Sequence, residues 1–180
     1  LGIGLSAAYK NVGLGSNIPD NAGAKLSLEK DGSILVRHGA ADMGQGSNQV
    51  VQTIASRVLG VPLSMIQVHT GDTRFDPAGG MTTASRATFV SGNAALKASE
   101  GFRLKLWEIV ASEFNVAEAD LEIKDGAFVN NKSGQQYITL KELASSGDEI
   151  SFEAHYDAPP TLPPAEHSPA YPKPGGVPLH

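Results

Sequence analysis

The 180-residue chain contains no cysteine. That removes disulfides, thiolate zinc sites, cysteine-ligated iron–sulfur clusters and a cysteine nucleophile from its chemistry. The absence is compatible with a reducing compartment; the cytoplasm is the expected location, with the periplasm left open. No apolar run approaches the roughly 20 residues that span a bilayer, so no membrane span is expected. Basic residues are outnumbered, 14 Lys and Arg against 19 Asp and Glu, for a net charge of −5. That balance argues against a general binder of nucleic acid or anionic membrane. Phosphate motifs are incomplete. Gly13-Leu14-Gly15 has Ile18 where a dinucleotide fingerprint needs its third glycine, Gly44-Gln45-Gly46 has Gln49 there, and no Walker lysine motif is present. None of the five histidines (38, 69, 155, 167 and 180) pairs with another at i, i+4, so no protein metal ligands are expected. The opening Leu1-Gly2-Ile3-Gly4 is not a signal segment, and with the bare Pro178-Leu179-His180 it suggests a piece of a longer polypeptide.

What is present reads as one folded domain. Hydrophobic residues make up 41% and charged residues 18%, enough for a core and too few charges for a disordered chain. Residues 2–12 alternate as a half-buried strand does. A loop follows with Gly13, Gly15, Asn17, Pro19 and Asp20, then a hairpin of residues 24–29 and 34–36 around Asp31-Gly32. Val51, Ile54, Ala55 and Val58 lie on one helical face, ended by Gly60 and Pro62. Residues 66–70 form a short strand, and residues 71–81 a loop.

A long helix is expected over about residues 83–113, with Ala95, Ala98, Phe102, Leu106, Ile109 and Val110 as its apolar stripe. Trp107 on that helix is a packing residue, and Asp72 a turn residue. A second hairpin turns at Lys124-Asp125-Gly126, and Thr139 with Glu142 caps a short helix over residues 139–145. Residues 150–156 form a last strand. The tail from Asp157 holds eight of the eleven prolines and reads as a connector or arm. The expected fold is α+β, with mixed or antiparallel hairpin strands and two main helices, one long. The expected division is a domain over residues 1–156 and a Pro-rich connector over 157–180.

Two glycine-and-hydroxyl loops carry the candidate site. The first runs from His38 to Ser47 and includes Gly44, Gln45 and Gly46. Glycine admits a ligand close to the backbone, a helix start offers N–H groups, and a glutamine amide both donates and accepts. Read without a ligand, this is a plain helix entry capped by Ser47. The second runs from Gly79 to Thr88 and includes Thr82, Thr83, Ala84, Ser85 and Arg86. It is suited to a phosphate or pyrophosphate. Read without a ligand, Thr82 or Thr83 caps the helix and Arg86 is solvated. Gly13-Leu14-Gly15 reads most simply as a connector.

The chain resembles the molybdenum-cofactor-binding part of the xanthine dehydrogenase and aldehyde oxidase family, the molybdenum hydroxylases. The resemblance covers about residues 1–160. It rests on the ordered set Lys25–Ile34, Asp42-Met43-Gly44-Gln45-Gly46, Leu59-Gly60-Val61-Pro62, Gly71-Asp72-Thr73 and Ala84-Ser85-Arg86-Ala87-Thr88 leading to Gly92-Asn93-Ala94.

The resemblance implies a fragment of a larger multidomain oxidoreductase subunit. Such enzymes insert a water-derived oxygen into a C–H bond of an aldehyde or N-heteroaromatic. It implies a molybdopterin cofactor carrying molybdenum, in some relatives as the cytosine dinucleotide. Iron–sulfur clusters and FAD are implied elsewhere in the assembly. The partners are the remaining domains of the large subunit, the iron–sulfur and FAD domains or subunits, and a small-molecule substrate. By the same resemblance Gln45 lies against an oxo ligand or the dithiolene, with Gly46 its close-approach neighbour. Thr82, Thr83, Ala84 and Ser85 contact the pterin near the metal, and Arg86 contacts a phosphate or the cytidine end. Leu14 aligns with a substrate-proximal position that is often aromatic; an aliphatic residue there stacks less well on a planar ring. No glutamate here sits in the family's base motif, so the catalytic base is expected beyond residue 180 and this part alone is expected to be inactive. Two rival readings remain: a non-catalytic structural or assembly paralogue of the same fold, and a nucleotide-binding module using residues 79–88.

Overall fold

The computed structural model describes residues 2–160 apart from Tyr9, Asn11, Ser16, Asn17 and Asp148. Seven strands and three α-helices form two sheets packed around a long helix. The expected α+β class is what the chain adopts.

The main sheet has the order β3-β2-β1-β7. Strand β1 (Asn21–Leu28) and strand β2 (Ile34–His38) form the hairpin around Asp31-Gly32, with Leu26 opposite Val36 and Leu28 opposite Ile34. Every second residue faces the core: Ala22, Ala24, Leu26, Ile34 and Val36 are buried. Strand β3 (Ile66–His69) runs parallel to β2, and β7 (Ser151–Asp157) antiparallel to β1. The parallel β2–β3 pair needs a crossover, supplied by helix α1 (Ser47–Leu59). Gly60 closes α1 in the left-handed conformation, as its position ahead of Pro62 predicts.

Helix α2 (Gly92–Phe114) crosses the same sheet face and buries Ala95, Ala98, Phe102, Leu106 and Val110. Its far half also meets the second sheet, β4 (Leu121–Lys124), β5 (Ala127–Asn130) and β6 (Gln136–Thr139), in that order. Trp107 packs edge-on against Phe128 with ring centroids 4.8 Å apart, and its indole N–H donates to the Leu121 carbonyl. The packing role expected of Trp107 is thus what it performs. Helix α3 (Leu140–Ser145) opens with the expected capping box. The Thr139 hydroxyl accepts from the Glu142 N–H, and the Glu142 carboxylate accepts from the Thr139 N–H.

Two expectations are corrected, and one strand was not foreseen. Among the described residues of 2–12 there is no strand, and Ile3 and Leu5 stand fully exposed; their alternating pattern finds no partner edge among the described residues. The long helix does not begin at Thr83. Ala84 and Ser85 have φ near +51° and +54°, which no right-handed helix admits. Helical structure starts with a π-turn over Ala87–Ser91. Strand β6 was not expected from the sequence: unlike β4 and β5 it does not flank an Asp-Gly turn. The Pro-rich tail from residue 161 onward lies outside the described residues.

Candidate functional site

The topology collects the loops. Strand β1 begins, and strands β2 and β3 end, at one end of the main sheet. Residues 13–15 and 18–20, 39–46 and 70–86 therefore emerge side by side, although they are far apart in sequence. Strand β7 ends there too, and the Ala158 N–H donates to the Asp20 carbonyl.

The loops touch through backbone. Gly39 and Gly79 pass so close that a Cβ on either would collide with the other's main chain. Gly23 donates to the Ala78 carbonyl at 2.8 Å, and Gly13 to the Ala84 carbonyl at 2.9 Å. The Thr82 hydroxyl accepts from the Ala41 N–H at 2.9 Å, joining the two candidate loops directly. The Thr70 hydroxyl donates to the Ala40 carbonyl at 2.9 Å. Asp76 anchors the preceding turn. Burial pushes its carboxyl up, but the Asp72 N–H, Arg37 and His69 outweigh this and hold it below the ordinary value. Asp72 makes the turn expected of it, accepting from the Arg74 N–H.

The helix entry differs from expectation. Gly46, in the left-handed conformation, is the residue that caps α1, and Ser47 is already helical. Asp42 takes the capping role instead. Its carboxylate accepts from the N–H groups of Asn48, Gly44 and Gly46 at 3.0, 2.9 and 3.3 Å. These bonds, with one from the Ser47 hydroxyl, hold its pKa below the ordinary value. Behind the loop, His38 is fully buried. Its Nδ1 accepts from the Ala40 N–H, so Nε2 carries the proton and donates to Asn48 Oδ1 at 3.0 Å. Burial lowers its pKa against the opposing pull of Asn48, Asp76 and Asp42.

Gln45 is exposed at the tip of this loop. Its amide is held locally: Oε1 accepts from the Met43 N–H at 2.6 Å, and Nε2 donates to the Ala41 carbonyl at 2.8 Å and the Ser47 hydroxyl at 3.3 Å. Gly44 and Gly46 flank it with positive φ. A Cβ on either would meet nothing within 4 Å, so open space faces both.

Thr82, Thr83, Ala84 and Ser85 form a tight turn at the same mouth, with Thr83 and Ser85 exposed. Two successive non-glycine residues in the left-handed region cost about 1–2 kcal/mol each and are held by surrounding contacts. Arg86 departs from both of its expectations, solvated cap neighbour and phosphate contact. Its side chain is 1% exposed and points inward, where Nε meets Asp20 at 2.5 Å. Nη1 donates to the Gly79 and Met81 carbonyls, and Nη2 to Asn21. Four of its five N–H groups are thereby engaged within the chain. Leu14 lies half-buried beside this turn, its N–H donating to the second Asp20 oxygen at 2.8 Å. Gly13 and Leu14 are thus tied to the turn and to Asp20, more than the simple connector expected for Gly13-Leu14-Gly15.

Residues 1–176 match the family model described as molybdopterin cofactor-binding domain. The chain belongs to that family. It is 33% identical over 135 residues to a protein of Escherichia coli named "Probable hypoxanthine oxidase XdhD", covering 74% of this chain and 14% of that one. It is 31% identical over 177 residues to the carbon monoxide dehydrogenase large chain of Hydrogenophaga pseudoflava, covering 90% and 22%. Among solved structures, reconstituted CO dehydrogenase from Oligotropha carboxidovorans aligns with a TM-score of 0.66 and 28% identity, over 82% of this chain and 20% of that one. The chain therefore spans about a fifth or less of the length of these relatives. The family resemblance read from the sequence, and its assignment to a larger multidomain enzyme, agree with these matches.

The residues present suit the group the family name denotes. The two loops present backbone, glycines with open space at Cβ, two exposed hydroxyls and one amide, with the Asp42 carboxylate turned to its own loop's N–H groups. Such a lining accepts a large polar heterocycle at close range without charge repulsion. A cleft of about 480 Å³ lies elsewhere, on the sheet face away from α1 and α2, lined by Lys25, Ser27, Leu35, Arg37 and Phe75 with Ala144 of α3. It shares no residue with the two loops.

Proposed function

We propose that this chain forms one wall of the cofactor site in the large subunit of a molybdenum hydroxylase, through residues 44–46 and 82–85. When bound, the cofactor supplies oxidation of a substrate C–H bond with oxygen from water. The chain's own share is binding and orientation. The observation that carries the reading is the meeting of both glycine-and-hydroxyl loops at one sheet end, joined by Thr82 and Ala41.

Gln45 presents its amide from a loop pinned by Asp42. To give an N–H to a ligand it releases the Ala41 carbonyl or Ser47, both on its own loop. The Thr83 and Ser85 side chains and the backbone N–H groups around them face the pterin, together with any nucleotide extension it carries. Arg86 supports this turn from behind and does not touch phosphate. Leu14 stands on the substrate side and supplies apolar contact without ring stacking. The base, the iron–sulfur clusters and FAD belong to other domains or subunits, in keeping with the small share of the relatives that this chain covers. The substrate class is an aldehyde or N-heteroaromatic.

The test uses the full-length native polypeptide. Elemental mass spectrometry should find about one molybdenum per large subunit. Gln45→Ala should keep the metal and lower turnover by about tenfold or more. Wild-type turnover at full loading refutes the role of Gln45. Absence of molybdenum, in protein from a host that makes and inserts the cofactor, points to the structural paralogue instead.

A further inference from the structure

We propose that Asp20 and Arg86 are positioning residues: a buried ion pair that sets the shape of the cofactor-facing turn at residues 82–85 and fastens Gly13 and Leu14 against it. The proposal rests on the cofactor reading of that turn.

A buried guanidinium is costly unless its charge is paired and its N–H groups are satisfied. Here both conditions are met by groups from separate parts of the site. Asp20 Oδ1 takes Nε, the Gly79 and Met81 carbonyls take Nη1, and the Asn21 carbonyl takes Nη2. The planar fork thus binds the start of β1 and both ends of the short span 79–81. Asp20 uses its other oxygen to hold the Leu14 N–H, and the adjacent Gly13 N–H reaches the Ala84 carbonyl. Ala84 is the first of the two left-handed residues, and Arg86 directly follows the second. The strained pair is therefore clamped on both sides, by Gly13 from without and by the Arg86 side chain from within.

Space around the fork is tight. A Cβ on Gly80 would come within 3.2 Å of both terminal nitrogens. Lysine cannot substitute. Its ammonium is a single point with three donors and cannot meet one carboxylate and three carbonyls spread around a plane. This separates positioning by geometry from stabilisation by charge alone.

The experiment compares wild type, Asp20→Asn and Arg86→Lys in the full-length polypeptide, by hydrogen exchange and by molybdenum content. Both variants should exchange about tenfold faster over residues 10–20 and 79–88, with residues 92–114 unchanged. Both should lose at least half of their molybdenum. Unchanged exchange in the two loop segments overturns the latch. So does equal acceleration across residues 92–114, which would make the pair a general stability element. Faster loop exchange with full molybdenum overturns its role toward the cofactor. If wild type itself carries no molybdenum, the cofactor reading fails, and the exchange data still decide whether the latch exists.

Discussion

At the scale of single residues, the site is governed by buried polar groups that face inward. His38 shows the consequence for pH. Its imidazole is buried and neutral, one nitrogen accepting from Ala40 and the other donating to Asn48. Its folded pKa lies below the ordinary 6.5, chiefly through burial. In the unfolded chain the ring takes up its proton near that ordinary value, so the unfolded state binds more protons just below it. The contribution of neutral His38 to stability is therefore full above about pH 6.5 and is lost as pH falls from there. Denaturation of wild type and His38→Gln at pH 7.5 and 5 should show a larger acid loss in wild type. Equal losses would mean that His38 is not held neutral. Arg86 marks the limit of reading residues from sequence. A lone arginine beside hydroxyls and glycines invites a phosphate, yet its carboxylate partner lies 66 positions away and nothing local points to it.

At the scale of elements, the helix starts and turns determine what the site presents. The sequence pattern located α1, α2, α3 and both hairpins, because apolar spacing and turn residues are local signals. It misplaced the start of the long helix, since the left-handed conformations at Ala84 and Ser85 are imposed by Gly13 and by Arg86's partners. It also assigned the α1 cap to Ser47, where Asp42 reaches across five residues to the helix N–H groups. The crossing of Gly39 and Gly79 is the element-level feature most exposed to mutation. A methyl on either glycine meets backbone, which cannot step aside as a side chain can. Gly39→Ala should cost about 2–3 kcal/mol, read as a lower denaturant midpoint, and should loosen the loops before the core. A midpoint equal to wild type would show that the two segments separate freely.

At the scale of the whole molecule, the proposed cofactor wall is shared with chain that residues 1–180 do not contain. Met43 and Met81 at the loop tips are 74% and 57% exposed, and Ile18 nearby is 51% exposed. The relatives are about five times the length of this chain, and the reading proposed above places the rest of the site in such additional chain. Residues 1–180 expressed alone, in a host that makes the cofactor, should therefore carry far less than one molybdenum per chain and show no turnover. Full occupancy of the isolated chain would contradict a site shared between domains. What the sequence determined by itself was the fold class, the secondary elements with strong local periods, the glycine-and-hydroxyl loops and the family they resemble. These depend on neighbours a few residues apart. Only the tertiary structure decided that Gly13 and Leu14 lie against the 82–86 turn, that Asp20 pairs with Arg86, and that the arginine side chain points inward. Those facts depend on strand ends brought together from distant parts of the chain, and on the need of a buried charge for a partner wherever in the sequence it lies.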